Sequence, residues 1–136
     1  MFRQLCLLWL LTLFTYANHV HWLGDYDKAL QLALNEHKPL LVLVVKKDSK
    51  LCKTILQQQF MNHSYVDTIN ENFISVIVTY NERTSYPIEM YYTTEFPTLF
   101  FVDTQTEMFM REPLYGEQIS QKVLLQYFQP YLLKTK

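Results

Sequence analysis

Three runs along the chain are apolar at nearly every position: "LLVLVV" at 40–45, "FISVIVTY" at 73–80 and "TLFFVD" at 98–103. Unbroken apolarity over six to eight residues suits strands covered on both faces, as in a sheet lying between helices. The segments between them change period. In "GDYDKALQLALNEHKP", Ala29, Leu30, Ala33 and Leu34 recur at helical spacing. Asp25 and Asp27 sit at its start, where the helix dipole favours acids, His37 and Lys38 at its end, and Pro39 stops it. "SKLCKTILQQQFMNH" predicts a second helix capped by Asp48 or Ser49, with Leu51, Ile55 and Leu56 facing inward and Cys52 beside them. "HSYVDTINENF" predicts a turn and a short helical piece. "NERTSYPIEMYYTTEFP" is polar and irregular, with room for a short helix around Ile88 to Tyr92. After "TLFFVD", a turn at "TQTE" leads to a shorter strand at "MFMRE", close enough for an antiparallel hairpin. "YGEQISQKVLLQYFQPYLL" closes the chain as a helix whose stripe is Ile119, Val123, Leu124, Tyr127 and Phe128.

The order is helix, strand, helix, strand, helix, strand, strand, helix. Strand–helix–strand units need parallel pairing with right-handed crossovers, and the hairpin adds an antiparallel edge. The expectation is an α/β three-layer sandwich: a central mixed sheet of about four to five strands with helices on both faces.

The first residues break this pattern. "MFR" is a short positive start, "LCLLWLLTLF" at 5–14 has the length of a signal-peptide centre, and Thr15 and Ala17 take the −3 and −1 places of a small-x-small cleavage site. Residues 1–17 are therefore expected to be a signal peptide cut after Ala17, leaving 18–136 as one domain. The rival is an uncleaved anchor, in which case this segment is the chain's membrane contact. Cleavage removes Cys6 and leaves Cys52 as the one cysteine, so no internal disulfide forms even in the oxidising medium that export implies.

Composition narrows the classes further. About half the residues are apolar and 15% aromatic, which is enough for a compact core. A net charge of −1 without runs of one sign gives no electrostatic case for nucleic acid. Two glycines, Gly24 and Gly116, exclude a glycine-rich phosphate cradle.

The order of elements and three local features together resemble the thioredoxin-fold family, over about residues 22–133 and closest to its exported thioredoxin-like members. The first feature is an alanine-rich helix followed by Lys38-Pro39 and an apolar strand. The second is the helix start "SKLC", residues 49–52, where the family keeps Cys-x-x-Cys. The third is "EFPTLFFVD", in which Pro97-Thr98 match the family's cis proline and the threonine before a strand. Gly116 stands where the family has a glycine before its last helix. The resemblance implies that Ser49 occupies the position of the attacking thiol and Cys52 that of the resolving one. A hydroxyl is a far weaker nucleophile than a thiolate and forms no disulfide, so the ordinary dithiol cycle is lost within one chain. The family's bacterial, exported character further implies a periplasmic location.

Each candidate residue has two readings. Cys52 is either a thiol that exchanges with a partner's cysteine or a small apolar residue on the inner side of a helix. Ser49 is either a remnant that hydrogen-bonds a ligand or a helix cap. Lys46, Lys47, Lys50 and Lys53 either tune Cys52 or form a solvated face. Phe96, Pro97 and Thr98 either pair their backbone with an extended substrate segment, as the resemblance implies, or only turn the chain into the strand. "YPIEMYY" either forms an aromatic surface for a partner or covers the sheet. His19 and His21 lie beside the expected new N-terminus, Asn18, where an amine followed by histidine can take copper or nickel or do nothing. His37 and His63 sit near helix ends and read as caps. No Cys/His spacing indicates structural zinc and no Ser/His/Asp set is recognisable. No metal and no cofactor are expected. The expected partner is a protein or peptide, held by mixed disulfide at Cys52 or noncovalently in the proline groove.

Overall fold

The computed structural model describes residues 18–80 and 86–132. The segment 1–17, expected to be a leader, lies outside the described residues, as does the start of the polar segment at 81–85. The elements are β1 (Trp22–Leu23), α1 (Tyr26–Glu36), β2 (Leu40–Val45), α2 (Lys50–Gln59), α3 (Ser64–Asn72), β3 (Ile74–Thr79), β4 (Thr98–Asp103), β5 (Met108–Phe109), β6 (Leu114–Tyr115), a 3-10 turn (Gly116–Gln118) and α4 (Gln121–Leu132).

The strands form one mixed sheet in the order β1-β3-β2-β4-β5, with β6 also on β4. The first three pair in parallel, and β4 runs antiparallel to β2 with Leu41 opposite Phe101 and Val44 opposite Thr98. The two-residue side-chain period splits β2 between two cores. Leu41 and Leu43 join Ile55, Tyr65, Ile69, Leu99, Phe101, Leu124 and Phe128 under α2, α3 and α4. Leu40, Val42 and Val44 join Ala29, Ala33, Val76, Phe100 and Tyr91 under α1. This is the expected three-layer α/β architecture.

The details differ where the signal was short. The sheet has six strands rather than four to five: β1 and β6 have only two residues each, too few to show a period. "MFMRE" contributes just Met108 and Phe109 to the edge. Residues 64–72 make a full helix, α3, because Tyr65, Val66 and Ile69 are wholly buried on one side of it. No helix forms at 88–92. Instead the Met90 and Tyr91 N–H groups close a turn on the Pro87 carbonyl (3.0 and 3.3 Å). That turn drives Tyr91, 1% exposed, into the α1 side, where its hydroxyl meets that of Tyr26 at 2.8 Å. Leu51, expected inside, is 37% exposed, while Cys52 and Ile55 take the inner face of α2. The last helix begins at Gln121, after the 3-10 turn.

With so few glycines, side-chain-bearing residues adopt the left-handed turns. His37 (φ 56) ends α1 with its N–H on the Ala33 and Leu34 carbonyls; Asp48 (φ 63), Asn62 (φ 60) and Glu107 (φ 55) do the same in loops. Asn and Asp tolerate this region best.

Candidate functional site

The chain leaves β2 through a turn in which the Ser49 N–H donates to the Lys46 carbonyl (3.2 Å). Asp48, left-handed, then aims the chain into α2. Ser49 is the N-cap: its backbone is extended (φ −79°, ψ 120°) and its hydroxyl oxygen accepts from the Cys52 N–H at 3.2 Å. This settles the choice between Asp48 and Ser49 as cap. The bond satisfies one of the helix's orphan donors. Cys52 is 3% exposed, and its thiol makes no disulfide. Lys46, Lys47, Lys50 and Lys53 are all exposed around it.

Phe96, Pro97 and Thr98 lie at the same end of the sheet, because β4 starts where antiparallel β2 ends. The Phe96–Pro97 peptide is cis. The Pro97 carbonyl accepts from the N–H of Gly116, a residue held at φ 52. The Thr98 side chain is fully buried; its hydroxyl donates to the Glu95 carbonyl (2.6 Å) and lies 2.9 Å from the Thr93 hydroxyl, which also accepts from the Glu95 N–H (3.1 Å). The Phe96 ring links the two halves, packing on Tyr80 (centroids 5.1 Å apart) and lying under the Lys46 ammonium at 5.9 Å. A depression of about 340 Å³ lined by Tyr92, Thr93, Thr94, Glu95 and Tyr115 opens beside this loop. Tyr92 and Tyr115 are exposed within it, whereas Tyr91 of the same stretch serves the core.

The structure thus brings Ser49, Cys52, Phe96, Pro97 and Thr98 to one end of the molecule. Sequence reasoning missed Thr93, Lys46 as the ammonium over Phe96, and the Gly116 N–H on Pro97. Of these only Gly116 carried a signal, its place before the last helix. Of the two histidines read as caps, His37 is the left-handed C-cap of α1, whereas His63 holds the N-cap position of α3 without a side-chain cap hydrogen bond and instead stacks on Tyr65 (5.0 Å, 8°) with Nε2 2.6 Å from the Gln58 carbonyl. Tyr65 in turn donates its hydroxyl to the Gln59 carbonyl. Burial raises the pKa of Tyr65 and, with the hydrogen bond to Tyr26, that of Tyr91, far above the tyrosine value of 10.0. Among the described residues no group of three or more His, Cys, Asp or Glu side chains could hold a metal ion.

Chemically, a hydroxyl that caps a helix and a thiol shielded behind it carry no dithiol cycle. Open to solvent near buried Pro97 are Thr94 and Glu95 of the preceding loop, with Tyr92 and Tyr115 beside them. The sequence profile of the family Thioredox_DsbH, described as a protein of unknown function, DUF255, matches residues 10–111. The chain belongs to that family. No curated protein matches the chain. Among solved structures, this Thioredox_DsbH member is similar to a DsbH oxidoreductase (17% identity, 85% of both chains, TM-score 0.64). It is also similar to a thioredoxin from Thermus thermophilus (16%, 85% of this chain and 89% of that one, TM-score 0.68). The C-terminal domain of Neisseria meningitidis DsbD is a third (24%, 79% and 97%, TM-score 0.56). At these identities the likeness is one of fold: this family member has the thioredoxin-like fold. Among its described residues no helix is long and apolar enough to cross a membrane.

Proposed function

We propose that the protein is an exported handler of thiol- or disulfide-bearing proteins that works by binding rather than by dithiol turnover. A partner's extended segment lies against the backbone at Phe96, just before Pro97 and at the same end of the sheet as Ser49 and Cys52, by strand addition. The observation that carries this is the 3% exposure of Cys52 behind the Ser49 cap, together with an open, tyrosine-lined depression along the Thr93–Glu95 loop. Membership of a DsbH-named family and the likeness to oxidoreductase folds support a protein partner of this class. Export rests on residues 1–17 as a cleaved signal peptide, with the periplasm as destination. N-terminal sequencing of the processed protein tests this, and a start at any residue other than Asn18 overturns the cleavage site.

A second reading is favoured by the position of Cys52 in the first turn of α2, at the end of the sheet where β4 begins. Local opening lets the Cys52 thiolate attack a partner's disulfide, forming a mixed disulfide and releasing the partner's other sulfur as thiolate, with no net oxidation. Native labelling with a thiol reagent separates the two. Binding without turnover requires Cys52 to react orders of magnitude more slowly folded than in denaturant. Equal rates favour exchange. Insulin reduction is expected to be absent, and brisk turnover by the isolated protein sinks the binding reading. Folded Pro97→Ala is expected to lose partner peptides, and full retention removes the groove from the account.

A further inference from the structure

The stretch leading into the sheet carries two histidines that the site above does not use. Residues 18–20 cross the end of α2, and the chain turns at His21, where the Trp22 N–H donates to the Val20 carbonyl (3.0 Å). Asn18 accepts the Asn62 N–H, the Val20 N–H donates to the Phe60 carbonyl (3.1 Å), and His19 bridges Met61. Val20 is 1% exposed and keyed into the core. His19 and His21, on either side of buried Val20, are both exposed. Their rings lie 5.6 Å apart between centroids, at 73°. Asn70 of α3 clamps the backbone between them, donating from Nδ2 to the His19 carbonyl (3.0 Å) and accepting the His21 N–H at Oδ1 (2.9 Å).

These residues line a depression of about 250 Å³ whose remaining walls are Asn18, Asp67 and Glu71. No lysine or arginine is among its lining residues. Asp67 and Glu71 are one helical turn apart on α3, and like charges at that spacing repel each other. Asn18 Nδ2 reaches Asp67 Oδ1 at 3.3 Å, a neutral contact that leaves both charges in place.

We propose that His19 and His21 form a site for a divalent d-block metal ion of the zinc class, in the field of Asp67 and Glu71, with water completing the shell. Two imidazole nitrogens at about 2.0–2.1 Å from a common metal place their ring centroids about 5 to 6 Å apart, the range in which these two rings lie. The Asn70 clamp holds the backbone in place, so binding orders little that is not already ordered. Imidazole donors select zinc, copper and nickel over magnesium and calcium. Two protein donors rather than four make the ion exchangeable, not a structural staple.

The test titrates the intact protein with zinc chloride by calorimetry and follows amide shifts by NMR. The expected result is one-to-one binding with shifts centred on His19, His21 and α3, and none with magnesium. His19→Gln and His21→Gln should each weaken zinc by roughly tenfold or more, and the double variant should abolish it. Asp67→Asn with Glu71→Gln should weaken it less and remove its salt dependence. Both rings are exposed, so these variants keep the fold, which their zinc-free unfolding midpoints check. Zinc binding that survives the double histidine change, shifts centred on Cys52, or no binding at millimolar zinc each overturn the proposal.

Discussion

A single hydroxyl decides what the α2 start can do. Ser49 occupies the cap and Cys52 the third position of the helix, linked by one N–H···O bond. Ser49→Ala should lower stability by about 1 kcal/mol, the usual worth of such a cap, measured by urea denaturation. Ser49→Cys tests the other reading of the position. We expect a disulfide between position 49 and Cys52 after air oxidation, seen by mass spectrometry and thiol titration, and a gain of insulin reduction. Failure of that disulfide to form means that the helix start is not built on the dithiol geometry. The identities of these residues are legible in the amino-acid sequence, because "SKLC" sits between an apolar strand and a helix with "EFPT" downstream. The burial of Cys52 is not, since exposure depends on whether Leu51 or Cys52 turns inward, and neighbouring apolar residues leave that open. Thr93 is illegible for a different reason. Its bonds to the Glu95 backbone and the Thr98 hydroxyl arise in irregular chain that has no period to read.

Elements with a strong period, α1, β2, β3 and β4, fall within a few residues of where the pattern put them, while α4 starts only at Gln121 because Gly116–Gln118 form a 3-10 turn first. β1 and β6 escaped because two residues on a sheet edge owe their pairing to the strand beside them, Trp22 opposite Ser75 and Leu114 opposite Leu99. The end of α1 shows a related effect. His37 stands in the left-handed conformation that glycine fills at no steric cost. His37→Gly should therefore raise stability by up to about 1 kcal/mol, read as a higher urea midpoint with an unchanged m-value. A fall instead means that the His37 ring contributes packing that outweighs its backbone.

Across the whole molecule, the two cores differ in what they bury. On the α4 side Phe128 is wholly buried, with ring contacts to Tyr65, Phe73 and Phe101. Phe128→Ala should cost about 3–5 kcal/mol and show as a steep loss of thermal midpoint. On the α1 side, the buried Tyr26–Tyr91 pair adds a pH dependence. Burial raises the folded pKa of Tyr26 and Tyr91, as it does for Tyr65 and Tyr86, above the value of 10.0 that tyrosine has when exposed. A raised pKa means that the unfolded chain loses its protons first. The contribution is therefore complete below about pH 10 and is lost progressively as pH rises above it. Urea unfolding between pH 8 and 11.5 should show this decline, and Tyr91→Phe should flatten it. The Cys52 thiol is sheltered only by the finished fold, so the shelter exists in time as well as in space. A chain still folding in an oxidising medium presents a bare sulfur to every other thiol and disulfide nearby, and a slow or destabilised variant gives that sulfur longer to be captured. Whatever Cys52 does once buried, the speed of folding is its first protection.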